Sequence, residues 1–119
     1  MEVPSEIVAG KLLQNYGDTA ELAARAGGDV LRDWRGRFAV SAKGPRDLVT
    51  EADVASQKTI REILLSRFPN HGFIGEEGDQ DLNVSPLRWM VDPLDGTSNY
   101  VHGFPAYCVS VALAYRDEI

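Results

Sequence analysis

A chain of 119 residues, 44% hydrophobic and 25% charged, is long enough for one modest core and has the composition of an ordinary globular domain. Its net charge of −6 excludes a surface built for nucleic acid or anionic membrane, which needs clustered Lys and Arg. Cys108 is the sole cysteine, so there is no intrachain disulfide and no cysteine-based zinc cluster; no apolar run approaches the roughly 20 residues of a membrane span, and the acidic start is unlike a signal peptide. These features predict a cytoplasmic protein.

Residues 7–34 are rich in Ala and Leu, and Ile7, Val8, Leu12, Leu22, Ala23, Ala26, Val30 and Leu31 recur at helical spacing. Gly17 could interrupt this helix, because Asp18 and Glu21 could start a new one as N-cap and capping box. Gly36, Gly44 and Pro45 mark the loop after it. Thr50 is placed to cap a second helix over about residues 51–68, whose buried face carries Ile60, Ile63, Leu64 and Phe68 and which Pro69-Asn70 stops. Phe73-Ile74-Gly75 and Trp89-Met90-Val91 read as buried strands that each end in acid, and residues 109–115 as a third strand. The class is α+β, with helices packed on a mostly antiparallel sheet. The chain stops at Asp117-Glu118-Ile119, where a hairpin would return another strand, so the sheet is expected to keep an open edge.

Acid is concentrated between positions 76 and 95, where six carboxylates (Glu76, Glu77, Asp79, Asp81, Asp92 and Asp95) accompany one base, Arg88. Asp79 and Asp81 read as a solvated loop. The other four lie beside apolar or glycine-rich sequence, where uncompensated charge is costly, and a cation would relieve it. Asp92 and Asp95 flank Pro93-Leu94 and can face one point, while the intervening turn exposes the Leu94 carbonyl. Gly96 permits close backbone approach, and Thr97-Ser98 look like the start of a short helix whose free N–H groups suit an anion. A hard divalent ion bridging protein oxygens and a phosphate needs this arrangement. Alone, Asp95-Gly96 reads as a tight turn and Glu76-Glu77 as a surface turn; together with Asp92 they read as a cation site. Asp53 falls on the buried face of the second helix, seven residues before Ile60, as the partner of Thr50 in a capping box or as a group orienting a water. His102 reads as a structural hydrogen-bonder and His71 as a loop residue without an evident partner. Cys108, Trp34, Trp89, Phe104 and Tyr107 read as packing residues.

The run from Trp89 to Tyr100 through Val101-His102-Gly103-Phe104-Pro105 resembles the signature of the inositol monophosphatase family. Phe73-Ile74-Gly75-Glu76-Glu77 and Asp47-Leu48-Val49-Thr50-Glu51-Ala52-Asp53 resemble two further motifs of that family, and Lys43 stands where it has a lysine. The resemblance covers about residues 19–119 with no departure inside the motifs. It implies the N-terminal part of the layered inositol monophosphatase/fructose bisphosphatase-type fold and a Mg²⁺-dependent phosphomonoesterase. Glu76, Asp92 and the Leu94 carbonyl would hold a first Mg²⁺, and Asp92 and Asp95 a second. Gly96 and Thr97 would bind the phosphate through backbone N–H groups, in a substrate site formed with Glu76, Leu94 and Asp95. Thr97 and Asp53 would position the attacking water beside Glu76, with Glu77 and Lys43 in support.

The resemblance also implies what is missing, a further carboxylate for the second metal and the sugar-binding residues, which that family takes from its C-terminal half. Residues 1–119 are therefore expected to be the metal- and phosphate-binding part of a longer domain, or a truncated remnant inactive alone. The expected partner is a small phosphorylated molecule, with no nucleic acid and no membrane, and a homodimer for the complete protein. Inositol monophosphate is the expected substrate. A 3′-phosphoadenylate, fructose bisphosphate or histidinol phosphate is the enzymatic alternative, and a non-catalytic metal-binding domain the alternative of another class.

Overall fold

The computed structural model describes residues 10–35, 37, 45–76, 80–81, 85–102 and 107–116. Helix α1 (Gly10–Arg35) and helix α2 (Pro45–Arg67) precede β1 (Gly72–Gly75), β2 (Gln80–Asp81), β3 (Leu87–Asp95), the short helix α3 (Thr97–Val101) and β4 (Cys108–Tyr115). The described strands form one sheet in the order β2-β1-β3-β4. The β1–β2 and β3–β4 pairings are antiparallel, whereas β1 and β3 run parallel in the register Gly72↔Arg88 to Gly75↔Val91. The α+β class stands, with a mixed sheet.

Helix α1 runs unbroken through Gly17, so Asp18 and Glu21 do not start a second helix. Its buried stripe is Tyr16, Thr19, Ala23, Gly27 and Leu31, one residue every third or fourth position, whereas Leu22 is exposed. Packing against α2 dictates that choice: Ser56 of α2 donates a hydrogen bond to the Gly27 carbonyl at 3.0 Å, and a Cβ at position 27 would come within 2.6 Å of Ile60. Helix α2 begins at Pro45 and not after Thr50. Proline at a first helical position gives up no bond and has the helical φ already set, so the turn from Asp47 to Thr50 is helical and Thr50 is not the cap. Its buried face carries Ala52, Ser56, Gln57, Ile60 and Leu64.

Both helices cover one face of the sheet. The main core joins Tyr16 and Ala23 of α1 and Ile60 and Leu64 of α2 to Phe73, Leu87, Trp89 and Val91 of the strands. Strand alternation then sends Arg88, Met90 and Asp92 to the opposite face, where Met90 is 41% exposed. Strand β3 also runs longer than the sequence predicts. It continues past Asp92 to Asp95, with a register irregularity between the two, in place of the tight turn expected there.

A second core cluster fastens α3 to the helices through Leu31, Ala52, Leu94 and Tyr100. The Tyr100 hydroxyl, fully buried, donates to the Leu31 carbonyl at 2.6 Å, and Tyr107 meets its ring edge-on at 5.0 Å. Burial above all, then the nearby Tyr107, with Arg35 opposing and Asp53 adding, pushes the Tyr100 hydroxyl up to about 12. A phenol that binds its proton more tightly folded than unfolded stabilises the fold below its unfolded value of about 10, and that contribution is lost as pH rises from there through about 12. Tyr100→Phe leaves the Leu31 carbonyl without its hydroxyl and is expected to cost about 1–3 kcal/mol at pH 7. Denaturant titrations at pH 7 and across pH 10–12 check both parts. The variant should be less stable at neutral pH and should lose less further stability in alkali than the parent.

Candidate functional site

The parallel pairing of β1 and β3 brings their carboxyl ends side by side, the place where open sheets of this kind hold ligands. Glu76 follows β1 directly, and its N–H donates to the Val91 carbonyl at 3.1 Å, which continues the ladder one rung beyond Gly75↔Val91. Glu76 thereby stands beside Asp92. The exposed Glu76 and half-buried Asp92 line one shallow cavity of about 330 Å³ with Ile74, Met90, Ser110 and Ala112, on the face away from the helices. The Leu94 N–H donates to Asp92 Oδ1 at 3.2 Å and orients the carboxylate. Pro93 and Leu94 are buried, so the acid-bearing end of β3 is anchored from the helix side while its carboxylates stay accessible.

Asp95 lies beyond the irregularity and opens on a second cavity of about 350 Å³, shared with Gly96, Tyr107 and Cys108. Cys108, expected to be a packing residue, starts β4 but is exposed and not part of the core, with Sγ 4.0 Å from Asp95 Oδ2. It pairs with Asp95 at the irregular end of the β3–β4 ladder, away from both hydrophobic clusters. Gly96 has φ of 93°, a conformation that costs a side-chain-bearing residue about 1 kcal/mol or more, and this turn lets β3 pass directly into α3. Thr97, exposed, is the first residue of that helix.

Asp53 reaches the same region from below. Its Oδ1 is shielded from solvent, and its charge acts on Tyr100 of α3, which places the carboxylate close to the helix that Thr97 opens. Gln57, one turn further along α2, escaped the sequence reading. It is 3% exposed and its amide lies against Gly75, where a Cβ atom would come within 2.4 Å of it. The available signal was its place on the buried stripe between Asp53 and Ile60.

The structure thus sets Glu76 and Asp92 on one cavity and Asp95 and Gly96 on another, and places Asp53 by α3. Lys43 and Glu77 lie outside the described residues, as do Ile7, Val8 and Phe104. Among the described residues, no three His, Cys, Asp or Glu side chains converge as a group that could hold a metal ion. The carboxylates of Glu76 and Asp92, which line one cavity, are hard oxygen donors of the type Mg²⁺ takes, one or two to a site with water and phosphate oxygens filling the shell. Their chemistry fits that ion.

A sequence profile described as the inositol monophosphatase family matches residues 13–119. The chain is 41% identical over 109 residues to a protein of Aquifex aeolicus named fructose-1,6-bisphosphatase/inositol-1-monophosphatase, covering 89% of this chain and 41% of that protein. It is 44% identical over 98 residues to an inositol-1-monophosphatase of Rhizobium meliloti, covering 80% of this chain and 37% of that one. Among solved structures, the extragenic suppressor protein suhB of Bartonella henselae superposes with a TM-score of 0.74 at 33% identity, over 87% of this chain and 40% of the other. The chain therefore spans about two fifths of the length of the relatives it matches.

The Gly75–Gln57 contact sets a test of how tightly the site is supported. Gly75→Ala must displace a buried amide that packs under the residue before Glu76, with an expected loss of about 1–3 kcal/mol. Removing the obstructing side chain as well, in Gly75→Ala/Gln57→Ala, should cost less than the sum of the two single changes. Urea unfolding of the three variants measures the coupling.

Proposed function

The chain belongs to the inositol monophosphatase family, and we propose that the intact protein carrying it is a Mg²⁺-dependent hydrolase of phosphate monoesters, with inositol monophosphate as substrate. The observation that carries this reading is the juxtaposition of Glu76 and Asp92 at the carboxyl ends of two parallel strands, with the Gly96 turn and Thr97 following directly on β3. Glu76 and Asp92 would hold the cation, with Asp95 and the Leu94 carbonyl as further oxygen donors. Magnesium, when bound, neutralises phosphate charge and makes the water it holds more acidic.

The protein's own groups do the rest. The N–H groups of Gly96 and Thr97 donate to the phosphate oxygens and fix the phosphorus for attack from one side. The Thr97 hydroxyl orients the attacking water. Asp53, partly desolvated by its shielded Oδ1, accepts the proton that water loses as its oxygen bonds to phosphorus. The ester P–O bond breaks as the new P–O bond forms, the alcohol oxygen takes a proton from a solvent water, and Asp53 returns its proton to solvent. The name of the Aquifex aeolicus relative favours a second substrate, a sugar bisphosphate, handled by the same residues.

In the intact protein, Asp92→Asn is expected to remove Mg²⁺ binding in calorimetric titration and to abolish hydrolysis; undiminished turnover by this variant overturns the proposal. Asp53→Asn should lower kcat by about 10²–10⁴-fold with KM little changed. Thr97→Ala should act in the same direction, and the double variant should be scarcely worse than either single one, because both groups serve one water. Comparing kcat/KM for inositol monophosphate and fructose bisphosphate separates the two substrates.

A further inference from the structure

His71, which the sequence leaves in a loop with no evident partner, proves to be buried at 8% exposure immediately before β1. The Trp89 indole N–H donates to its Nδ1 at 3.2 Å. Its backbone N–H donates to the Phe68 carbonyl at 3.1 Å, and its ring stacks on Phe68 with centroids 4.9 Å apart and planes 8° from parallel. Tyr16 of α1 closes the cluster edge-on at 5.5 Å. His71 therefore touches α1, the end of α2 and the centre of β3 at once.

The tautomer follows from the donor inventory. An indole N–H can only donate, so Nδ1 must be the bare nitrogen, and the proton of the neutral ring sits on Nε2. An imidazolium has N–H at both positions and would turn its Nδ1–H against the indole N–H. Trp89 lies three residues before Asp92 on β3, and His71 five residues before Glu76 across β1. One end of this hydrogen bond lies on β3 and the other immediately before β1, the two strands whose carboxyl ends lead to Asp92 and Glu76.

We propose that His71 is a positioning residue: its neutral imidazole latches Trp89 and thereby holds β3 in place beside β1, and protonation releases the latch and weakens the cation site formed by Glu76 and Asp92. The metal arm rests on the function proposed above, whereas the latch is a property of the described fold alone.

The direction of the pH effect follows from the surroundings. Burial lowers the imidazole's affinity for a proton below its ordinary value. Among the described residues its ring contacts are Tyr16, Phe68 and Trp89, of which Tyr16 is titratable and, raised by its own burial, stays neutral throughout. The elements packed around it also carry Lys11, Asp18 and Glu21 near Tyr16 on α1, Arg61, Glu62 and Arg67 on the last turns of α2, Arg88, Asp92 and Asp95 on β3, and Tyr115 on β4, and none of these is among its ring contacts. Burial is the one cause of the lowered proton affinity, with no carboxylate opposing it. A histidine whose proton is bound less tightly in the folded state contributes stability that is complete above its unfolded value of about 6.5 and is lost progressively as pH falls below it.

Two substitutions separate the proton from the packing. His71→Asn puts a carbonyl oxygen near the position of Nδ1, so it accepts the indole N–H but cannot titrate. His71→Phe keeps a stacked ring and removes the acceptor. Trp34→Phe leaves Trp89 as the one indole of residues 1–119, and any tryptophan elsewhere in the intact protein is likewise replaced by Phe to complete the background. In that background the parent should lose Trp89 fluorescence as pH falls from 7 to 5, because an imidazolium quenches an adjoining indole, with a midpoint below 6.5. His71→Asn should show no such transition. Calorimetric titration of the intact protein with MgCl₂ should give weaker binding at pH 5.5 than at pH 7.5 in the parent and equal binding at the two pH values in His71→Asn. At pH 7.5, His71→Phe should bind Mg²⁺ about 2- to 10-fold more weakly than His71→Asn, the usual worth of one hydrogen bond. A fluorescence transition that persists in His71→Asn overturns the latch. Equal Mg²⁺ affinity in the Asn and Phe variants overturns the positioning role. Should His71→Phe fail to fold, the pH profile of His71→Asn decides alone. Absence of Mg²⁺ binding by the parent at every pH overturns the proposed function, while the fluorescence experiment still decides the latch.

Discussion

The parallel pairing of β1 with β3 is the constraint on which the rest depends. Strands joined in parallel end together, so the residues that follow them become neighbours whatever their distance along the chain. Here that rule sets Glu76 beside Asp92 and leaves both at the mouth of one cavity. An antiparallel pairing of the same two segments would have sent the two carboxylates to opposite ends of the sheet. Strand β2, two residues long, pairs with β1 on the side away from β3 and lets the chain reverse before β3 begins.

Helices α1 and α2 stabilise that pairing from one side only. Their contact is made close by the small residues of α1 and by the Ser56 hydrogen bond to Gly27, and their combined apolar face receives Phe73, Trp89 and Val91. Burial of this kind contributes on the order of 1.5–3 kcal/mol for each large side chain, far more than the exposed ion pairs Arg25–Glu21, Arg32–Asp29 and Arg37–Asp33 along and just past α1, which count for little. The same one-sided covering divides the labour of β3. Its inward residues hold the strand, and its outward residues, Asp92 among them, are left for chemistry.

The second cluster extends this logic to α3. Tyr100 ties α3 to α1 through the Leu31 carbonyl, and Leu94 inserts beneath the irregular end of β3. Asp53 arrives at that junction on α2, so one helix supplies both a carboxylate close to α3 and, through Gln57, the packing under Gly75. The site is therefore supported by the core itself, and its acids occupy positions that the core leaves over.

Much of this was legible in the sequence because it is local. The helical stripe of Ile60, Ile63 and Leu64, the strands ending in acid, the glycine turn before Thr97 and the three ordered motifs each depend on residues close in the chain, where spacing and residue type suffice. The helix start at Pro45, the continuity of α1 through Gly17 and the extension of β3 to Asp95 were misread for a common reason. Capping and turn residues state a local preference of about 1 kcal/mol, and the packing of two long helices on a sheet outweighs it. Tertiary structure alone decided that β1 and β3 run parallel, that Cys108 is exposed and that His71 has a partner eighteen residues away in Trp89. Those facts depend on which distant segments meet, and a pattern of residue types along one chain does not encode the meeting.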